Sequence, residues 1–226
     1  LMSQYFEGPY SIIPNGIDIE RYHDGIEPFP WARDGTPRIL FVGRFNESRK
    51  GFKYLLRALP LVRQQFPTAR LLVVGPGQPE KFDGMMERYR IQGVDFAGQA
   101  SADELPRYYA SCDVFCAPAI KGESFGMVLL EAMATGKPVV ATNIPGYASV
   151  LTHEQEGVLV EPQNPAALAL GLVRMLADRD LRARLATVGC QTAAKYAWPQ
   201  IATRVLDVYD QAGAAASHAK WRQGFE

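Results

Sequence analysis

Two stretches of this 226-residue sequence combine residue types that handle phosphate and sugar chemistry. The first is Gly43-Arg44-Phe45-Asn46-Glu47-Ser48-Arg49-Lys50-Gly51, three cations set between two glycines. Arginine offers a planar fork of donors to phosphate oxygens and lysine a compact charge. The second is Gly122-Glu123-Ser124-Phe125-Gly126-Met127-Val128-Leu129-Leu130-Glu131-Ala132-Met133, in which two carboxylates stand eight residues apart. With a helix starting near Phe125, Glu123 and Glu131 would differ by about 12 Å along its axis. That is the scale of a sugar-diphosphate-ribose ligand, with Glu123 at the sugar end and Glu131 two turns on, accepting from a ribose diol. Between them the backbone N–H groups of Phe125, Gly126 and Met127 would face a diphosphate, aided by the helix dipole. A carboxylate beside a diphosphate is repelled unless cations intervene, and Arg44, Arg49 and Lys50 would supply them. Glu131 is surrounded in sequence by Val128, Leu129, Leu130, Ala132 and Met133, so its carboxylate needs a partner.

Those stretches need a scaffold, and the flanking sequence supplies one. Continuous apolar runs at 38–43, 71–75, 94–98, 113–117, 138–142 and 157–160 read as strands buried on both faces of a parallel sheet. Helical periodicity at about 51–66 (Phe52, Leu55, Leu56, Leu59, Val62), a polar helix at 79–90, a Ser101–Glu104 capping box and a helix at 125–135 separate them. Strands alternating with helices imply a doubly wound, Rossmann-like α/β sheet, whose ligands bind at the carboxyl ends of the strands. Both stretches fall on such strand-to-helix loops. Asn164-Pro165 then opens three helices at about 165–177, 179–195 and 199–215. Ahead of the first strand, Tyr10-Ser11-Ile12-Ile13 reads as a short strand stopped by Pro14-Asn15-Gly16. Residues 1–18 read as the end of an upstream domain with its crossover, and 19–37, rich in charge and proline, as a linker.

Composition excludes several classes. Lys+Arg and Asp+Glu are 24 each, so no global basic field exists to hold nucleic acid, and no basic stripe or stacking platform replaces it. The three cysteines, Cys112, Cys116 and Cys190, lack metal-ligand spacing and point to buried thiols in a reducing, cytoplasmic setting. No apolar run is long enough for a bilayer and no secretion signal is visible. A dinucleotide oxidoreductase fits poorly, because the first strand leads into Gly43-Arg44-Phe45 and Gly75-Pro76-Gly77 is only a fragment of a G-x-G-x-x-G turn.

The ordered set Pro14-Asn15-Gly16-Ile17-Asp18, Gly43-Arg44…Arg49-Lys50-Gly51, Phe96-Ala97-Gly98, Glu123-Ser124-Phe125-Gly126…Glu131-Ala132 and Gly136-Lys137-Pro138-Val139-Val140-Ala141 resembles the donor-binding half of a retaining GT-B glycosyltransferase of group 1 (family 4). The runs Gly43–Gly51 and Phe115-Cys116-Ala117-Pro118…Gly126 resemble the phosphatidylinositol mannosyltransferases that use GDP-mannose. The resemblance implies catalytic roles for Glu123 at the transferred sugar and for Arg44 and Lys50 at the donor diphosphate, with Arg49 beside them. It places Ala100 and Ser101 at the base, Ser124, Phe125, Gly126, Met127 and Val128 along the phosphates, and Glu131 on the ribose. It implies a nucleoside-diphosphate sugar as substrate, no tightly bound metal or other cofactor, and a lipid or saccharide acceptor, which would put the protein at the cytoplasmic membrane face. The domain reading becomes a donor-binding domain over 38–197 and a helix over 198–226 returning toward an N-terminal acceptor domain.

The family's N-terminal glycine-rich loop, catalytic-site histidine and acceptor pocket have no counterpart here, and His23, His153 and His218 lie in no motif. The chain alone is therefore expected to bind the donor nucleotide weakly and transfer nothing. Part of the apolar stripe Trp198, Ile201, Val205, Leu206 and Tyr209 is expected to be exposed. The alternatives are a UDP- or ADP-sugar enzyme of the same family, a nucleotide-sugar 2-epimerase and a non-catalytic nucleotide-binding module. The epimerase predicts a carboxylate and histidine set for proton abstraction, which the cation-rich loop does not offer.

Overall fold

In the structure, a computed structural model, Tyr5 and residues 10–223 are described, with side chains as far as Gly213; the remainder of the expected 1–18 and 198–226 segments lies outside the described residues. Six strands, β1 (Arg38–Val42), β2 (Arg70–Val74), β3 (Val94–Gly98), β4 (Val114–Ala117), β5 (Val139–Thr142) and β6 (Gly157–Val160), form one sheet in the order β3-β2-β1-β4-β5-β6. Every neighbouring pair is parallel. The apolar runs explain this directly. Ile39 and Phe41 of β1 enter one core while Leu40, between them, enters the other, so a strand covered on both faces must be apolar at every position.

Helices α1 (Phe52–Gln65) and α6 (Pro165–Ala177) cover the first face, with Phe52, Leu55, Leu59, Leu168 and Leu172 all buried. The second is covered by α3 (Glu104–Ala110), α4 (Met127–Ala134) and α5 (Pro145–Ala148), with Tyr109, Leu129, Leu130 and Tyr147 buried. Helix α2 (Asp83–Arg88) sits beyond β2, and α7 (Arg179–Ala194) and α8 (Trp198–Gln223) end the described chain. The Asn164 side chain caps α6 by accepting from the Ala167 N–H at 3.0 Å, with Pro165 at the first helical position. The Ser101–Glu104 box forms reciprocally: Glu104 donates to Ser101 Oγ at 3.3 Å and the Ser101 N–H to Glu104 Oε2 at 3.0 Å.

Three local expectations are corrected. Tyr10–Ile13 is not a strand; among the described residues the first bridge is at Ile17, an isolated parallel pairing with Ala197. The polar helix at 79–90 is split into a 3-10 turn at Pro79–Phe82 and the short α2. Helix α4 begins at Met127, not near Phe125, because Gly126 takes a left-handed conformation (φ +87°) and serves as its N-cap. Only the four steps from Met127 to Glu131 are helical, about 6 Å of rise, so the 12 Å axial estimate does not apply.

The segment before β1 is tied down. Phe29 donates its N–H to Ser111 Oγ at 2.8 Å, and the buried Arg38 guanidinium collects the Trp31 carbonyl (2.9 Å), the Thr36 carbonyl (3.0 Å) and Asp34 Oδ2 (2.8 Å). On α8, Ile201 is buried and Val205 half-buried, while Trp198, Leu206 and Tyr209 are exposed, the partial exposure that the stripe predicts.

Candidate functional site

From β1 the chain moves through β2 to β3 at one edge, then returns to β4 on the other side of β1. The loops leaving β1 and β4 therefore diverge, and the crevice between them is where a doubly wound sheet binds ligands. The two loops highlighted by their chemistry are those two loops.

They are joined through main chain. Ile120 donates its N–H to the Arg49 carbonyl at 2.8 Å. Gly51 (φ +71°) packs so closely that a Cβ there would lie 1.8 Å from the Pro118 carbonyl oxygen. The β4 loop is seated from its far side by α5, where a Cβ on Gly146 would come within 1.9 Å of the Glu123 carbonyl oxygen. Glycine is required at both positions by space, and at Gly51 by backbone conformation as well.

This fastening brings the charges together. Glu123 Oε1 accepts from Arg49 Nη1 at 2.6 Å and from Lys50 Nζ at 2.7 Å. The Glu123 side chain is only 12% exposed and that of Lys50 16%. Arg49 also donates to the Gly122 carbonyl at 3.2 Å and pairs with Glu47 Oε2 at 2.7 Å. Arg44 is placed differently. Its side chain is 72% exposed and reaches Glu47 at 3.2 Å, joining the cluster only through that residue. Glu47, held by both arginines, has its carboxyl below the usual glutamate range, the Arg44 hydrogen bond contributing most. Three cations against two carboxylates leave the cluster with one net positive charge.

Beside it, α4 starts with no side chain capping its N-terminus, so the first N–H groups of Met127 and Val128 precede any intrahelical partner. Ser124 is exposed, and the half-buried Phe125 ring stands edge-on to Tyr196 at 5.5 Å. A cavity of about 450 Å³ opens there, bounded by Ser124, Phe125, Tyr196 and Arg204, with Ile13 and Asn15 from the incoming chain.

Glu131 lies further along α4, half-buried. The Tyr109 hydroxyl of α3 donates to its Oε2 at 2.7 Å. Burial pushes the Glu131 carboxyl above the ordinary value, while the Tyr109 hydrogen bond and the Arg21 charge pull it back. The same Arg21 donates to the Ala102 carbonyl at 3.1 Å, so Glu131 and the Ala100–Ser101 loop share a neighbour. Ala100 is half-buried and Ser101 exposed, its hydroxyl and N–H taken up by the capping box.

The sequence reading missed Tyr109, Arg21 and α5. Tyr109 lies 22 residues from Glu131 on another helix, and no spacing rule joins them. Among the described residues no three His, Cys, Asp or Glu side chains gather as a metal site. His23 and His153 each accept a nearby backbone N–H, those of Gly25 and Leu159, and the His218 side chain lies outside the described residues.

Residues 26–191 match the family described as glycosyl transferases group 1. The chain belongs to this family. It is 39% identical over 210 residues to a phosphatidyl-myo-inositol mannosyltransferase of Mycobacterium leprae, covering 91% of this chain and 54% of that protein. A Mycobacterium tuberculosis protein of the same name is 40% identical over 207 residues, covering 88% and 53%. The chain thus spans about half the length of these group 1 relatives. Among solved structures, sucrose-phosphate synthase from Thermosynechococcus elongatus superposes with a TM-score of 0.80 at 32% identity, over 92% of this chain and 54% of that one. Anabaena HepE in complex with UDP-glucose matches with a TM-score of 0.76 at 24% identity, over 89% and 57%, a likeness of fold alone. The Rossmann-like fold and the group 1 membership read from the motifs both stand.

Proposed function

We propose that the chain carries the donor-binding half of a retaining hexosyltransferase and that the crevice between the β1 and β4 loops holds the diphosphate of a nucleoside-diphosphate sugar. The observation that carries this reading is the convergence of Arg49 and Lys50 on Glu123 at the switch point of the sheet, next to an uncapped helix start.

The chemistry follows from charge. When the bond between the anomeric carbon and the diphosphate oxygen breaks, negative charge gathers on that oxygen. Arg49 and Lys50, already oriented by Glu123, neutralise it without a reorganisation cost at the moment of reaction. The Met127 and Val128 N–H groups add the positive end of α4. Arg44, exposed in the free chain, exchanges Glu47 for a phosphate oxygen when donor arrives. Glu123 then accepts from hydroxyls of the transferred sugar, Glu131 accepts from the ribose diol, and Ala100 with Ser101 lines the base. The side-chain cations supply at the diphosphate the charge that a divalent ion supplies elsewhere.

The names of the relatives favour mannose from GDP-mannose as the donor sugar and an inositol lipid as the acceptor, met at a membrane surface. The neighbour bound to UDP-glucose keeps a UDP-sugar as the second reading. Calorimetric titration of the chain with GDP, UDP and ADP tests both: GDP binding most tightly supports the first, UDP the second. No binding of any of the three at millimolar concentration removes the diphosphate site.

A further inference from the structure

Resting on the ribose role proposed for Glu131, we infer that Tyr109 is the positioning residue for that carboxylate: its hydroxyl occupies Oε2 and so turns Oε1 toward the nucleotide as the acceptor. The 2.7 Å bond runs from α3 to α4, two elements connected only through β4 and its long exit loop. A glutamate side chain has three rotatable bonds, and fixing one oxygen to a fully buried donor removes most of that freedom before any ligand arrives.

The donor itself is held by two ring contacts. The Tyr109 ring lies 5.3 Å from Phe115 of β4 and meets the Tyr22 ring edge-on at 6.1 Å. Burial, reinforced by the Glu131 charge, keeps the Tyr109 hydroxyl protonated far above its usual range, so its proton stays available to the carboxylate. The groups acting on Glu131 are therefore Tyr109 from α3 and Arg21 and Tyr22 from the incoming segment. Arg21 acts on Glu131 through its charge while its Nε donates to the Ala102 carbonyl at 3.1 Å; the hydrogen bond to the carboxylate comes from Tyr109, which sets its direction. Among the hydrogen bonds and ion pairs of the described residues none joins Tyr109, Arg21 or Tyr22 to Glu123, Arg49 or Lys50, so the arrangement is assigned to ribose contact and not to diphosphate grip.

The test uses Tyr109→Phe, which keeps the ring and both ring contacts. Binding of GDP and of inorganic pyrophosphate is titrated calorimetrically from pH 5 to 8, beside Glu131→Gln and the double variant. Expected for Tyr109→Phe are a loss of about five- to tenfold in GDP affinity, because a freed carboxylate must be ordered on binding, and unchanged pyrophosphate affinity. The fall in GDP affinity on acidification should begin at higher pH, because the lost hydrogen bond had favoured the ionised carboxyl. In the Glu131→Gln background the tyrosine change should add nothing. GDP affinity and pH profile at wild-type values in Tyr109→Phe, while Glu131→Gln binds weakly, would overturn the positioning role and leave the ribose reading intact. Equal losses for GDP and pyrophosphate would also overturn it, as a general loosening of the fold. Wild-type GDP affinity in Glu131→Gln removes the ribose role itself, and a wild-type chain that takes up no GDP removes the diphosphate site and this inference with it.

Discussion

Glu123 pairs with Arg49 and Lys50, and in the proposed site it would also oppose the anion bound there; Glu123→Gln separates these effects. The substitution keeps the shape of the side chain and removes one negative charge, raising the cluster from one net positive charge to two. A phosphate oxygen bonded to the far side of Arg49 or Lys50 stands about 6 Å from the carboxylate; at an effective dielectric of about 20 that repulsion is worth about 3 kcal/mol. Solvent at the mouth and relaxation of the freed cations reduce it to about 1–1.5 kcal/mol, a factor of about 5–12 in dissociation constant. GDP, which carries no sugar, should therefore bind Glu123→Gln more tightly than it binds the parent chain. Added salt should narrow the difference. GDP-mannose should gain less, because the amide accepts more weakly from sugar hydroxyls. Calorimetry of both ligands at two salt concentrations, with circular dichroism as the check on folding, gives the answer. Unchanged or weaker GDP binding in a folded Glu123→Gln chain would refute the placement of a diphosphate on these cations.

Other perturbations bear on separate links of the argument. Lys50→Ala, which removes a nearly buried partner of Glu123, should weaken GDP by about 1.5–3 kcal/mol, the range for hydrogen bonds to charged groups. Arg44→Ala should leave the urea midpoint unchanged, since surface ion pairs contribute about 0–1 kcal/mol, and yet reduce GDP affinity if the side chain moves onto the ligand. Gly51→Ala meets both a left-handed backbone and the Pro118 carbonyl, and should lower unfolding stability by more than about 2 kcal/mol in urea titration. Burial raises the Glu131 carboxyl pKa in the folded state, so the native chain holds this proton to higher pH than the unfolded one. That contribution favours folding below the window between the two values and is lost as pH rises through it. Glu131→Gln should therefore raise the urea midpoint at pH 8 more than at pH 5, and lower GDP affinity at pH 8.

The sheet was legible because burial on both faces leaves an unmistakable trace: Ile39-Leu40-Phe41-Val42 and Leu71-Leu72-Val73-Val74 have no polar position to offer. That the two charged loops leave strand ends was legible for a related reason, since each follows an apolar run of this kind. What could not be read is pairing at a distance. Arg49 and Lys50 were visible as cations, but their joint capture of Glu123 depends on β4 returning beside β1. Tyr10–Ile13 shows the limit from the other side: its residues favour a strand, yet a strand needs ladder pairing, which no local run of residues can supply, and none is assigned there. Helix α5 was missed because four residues carry no period, although its Gly146 fixes where the Glu123 backbone can lie.

The link between the Arg49 carbonyl and the Ile120 N–H has a consequence for variation within such a protein. Peptide groups are common to every amino acid, so this stitch survives exchange of the side chains on either strand exit. The spacing of the two exits is thereby insulated from drift at exposed positions such as Lys121 or Ser124, whose side chains can change without undoing it.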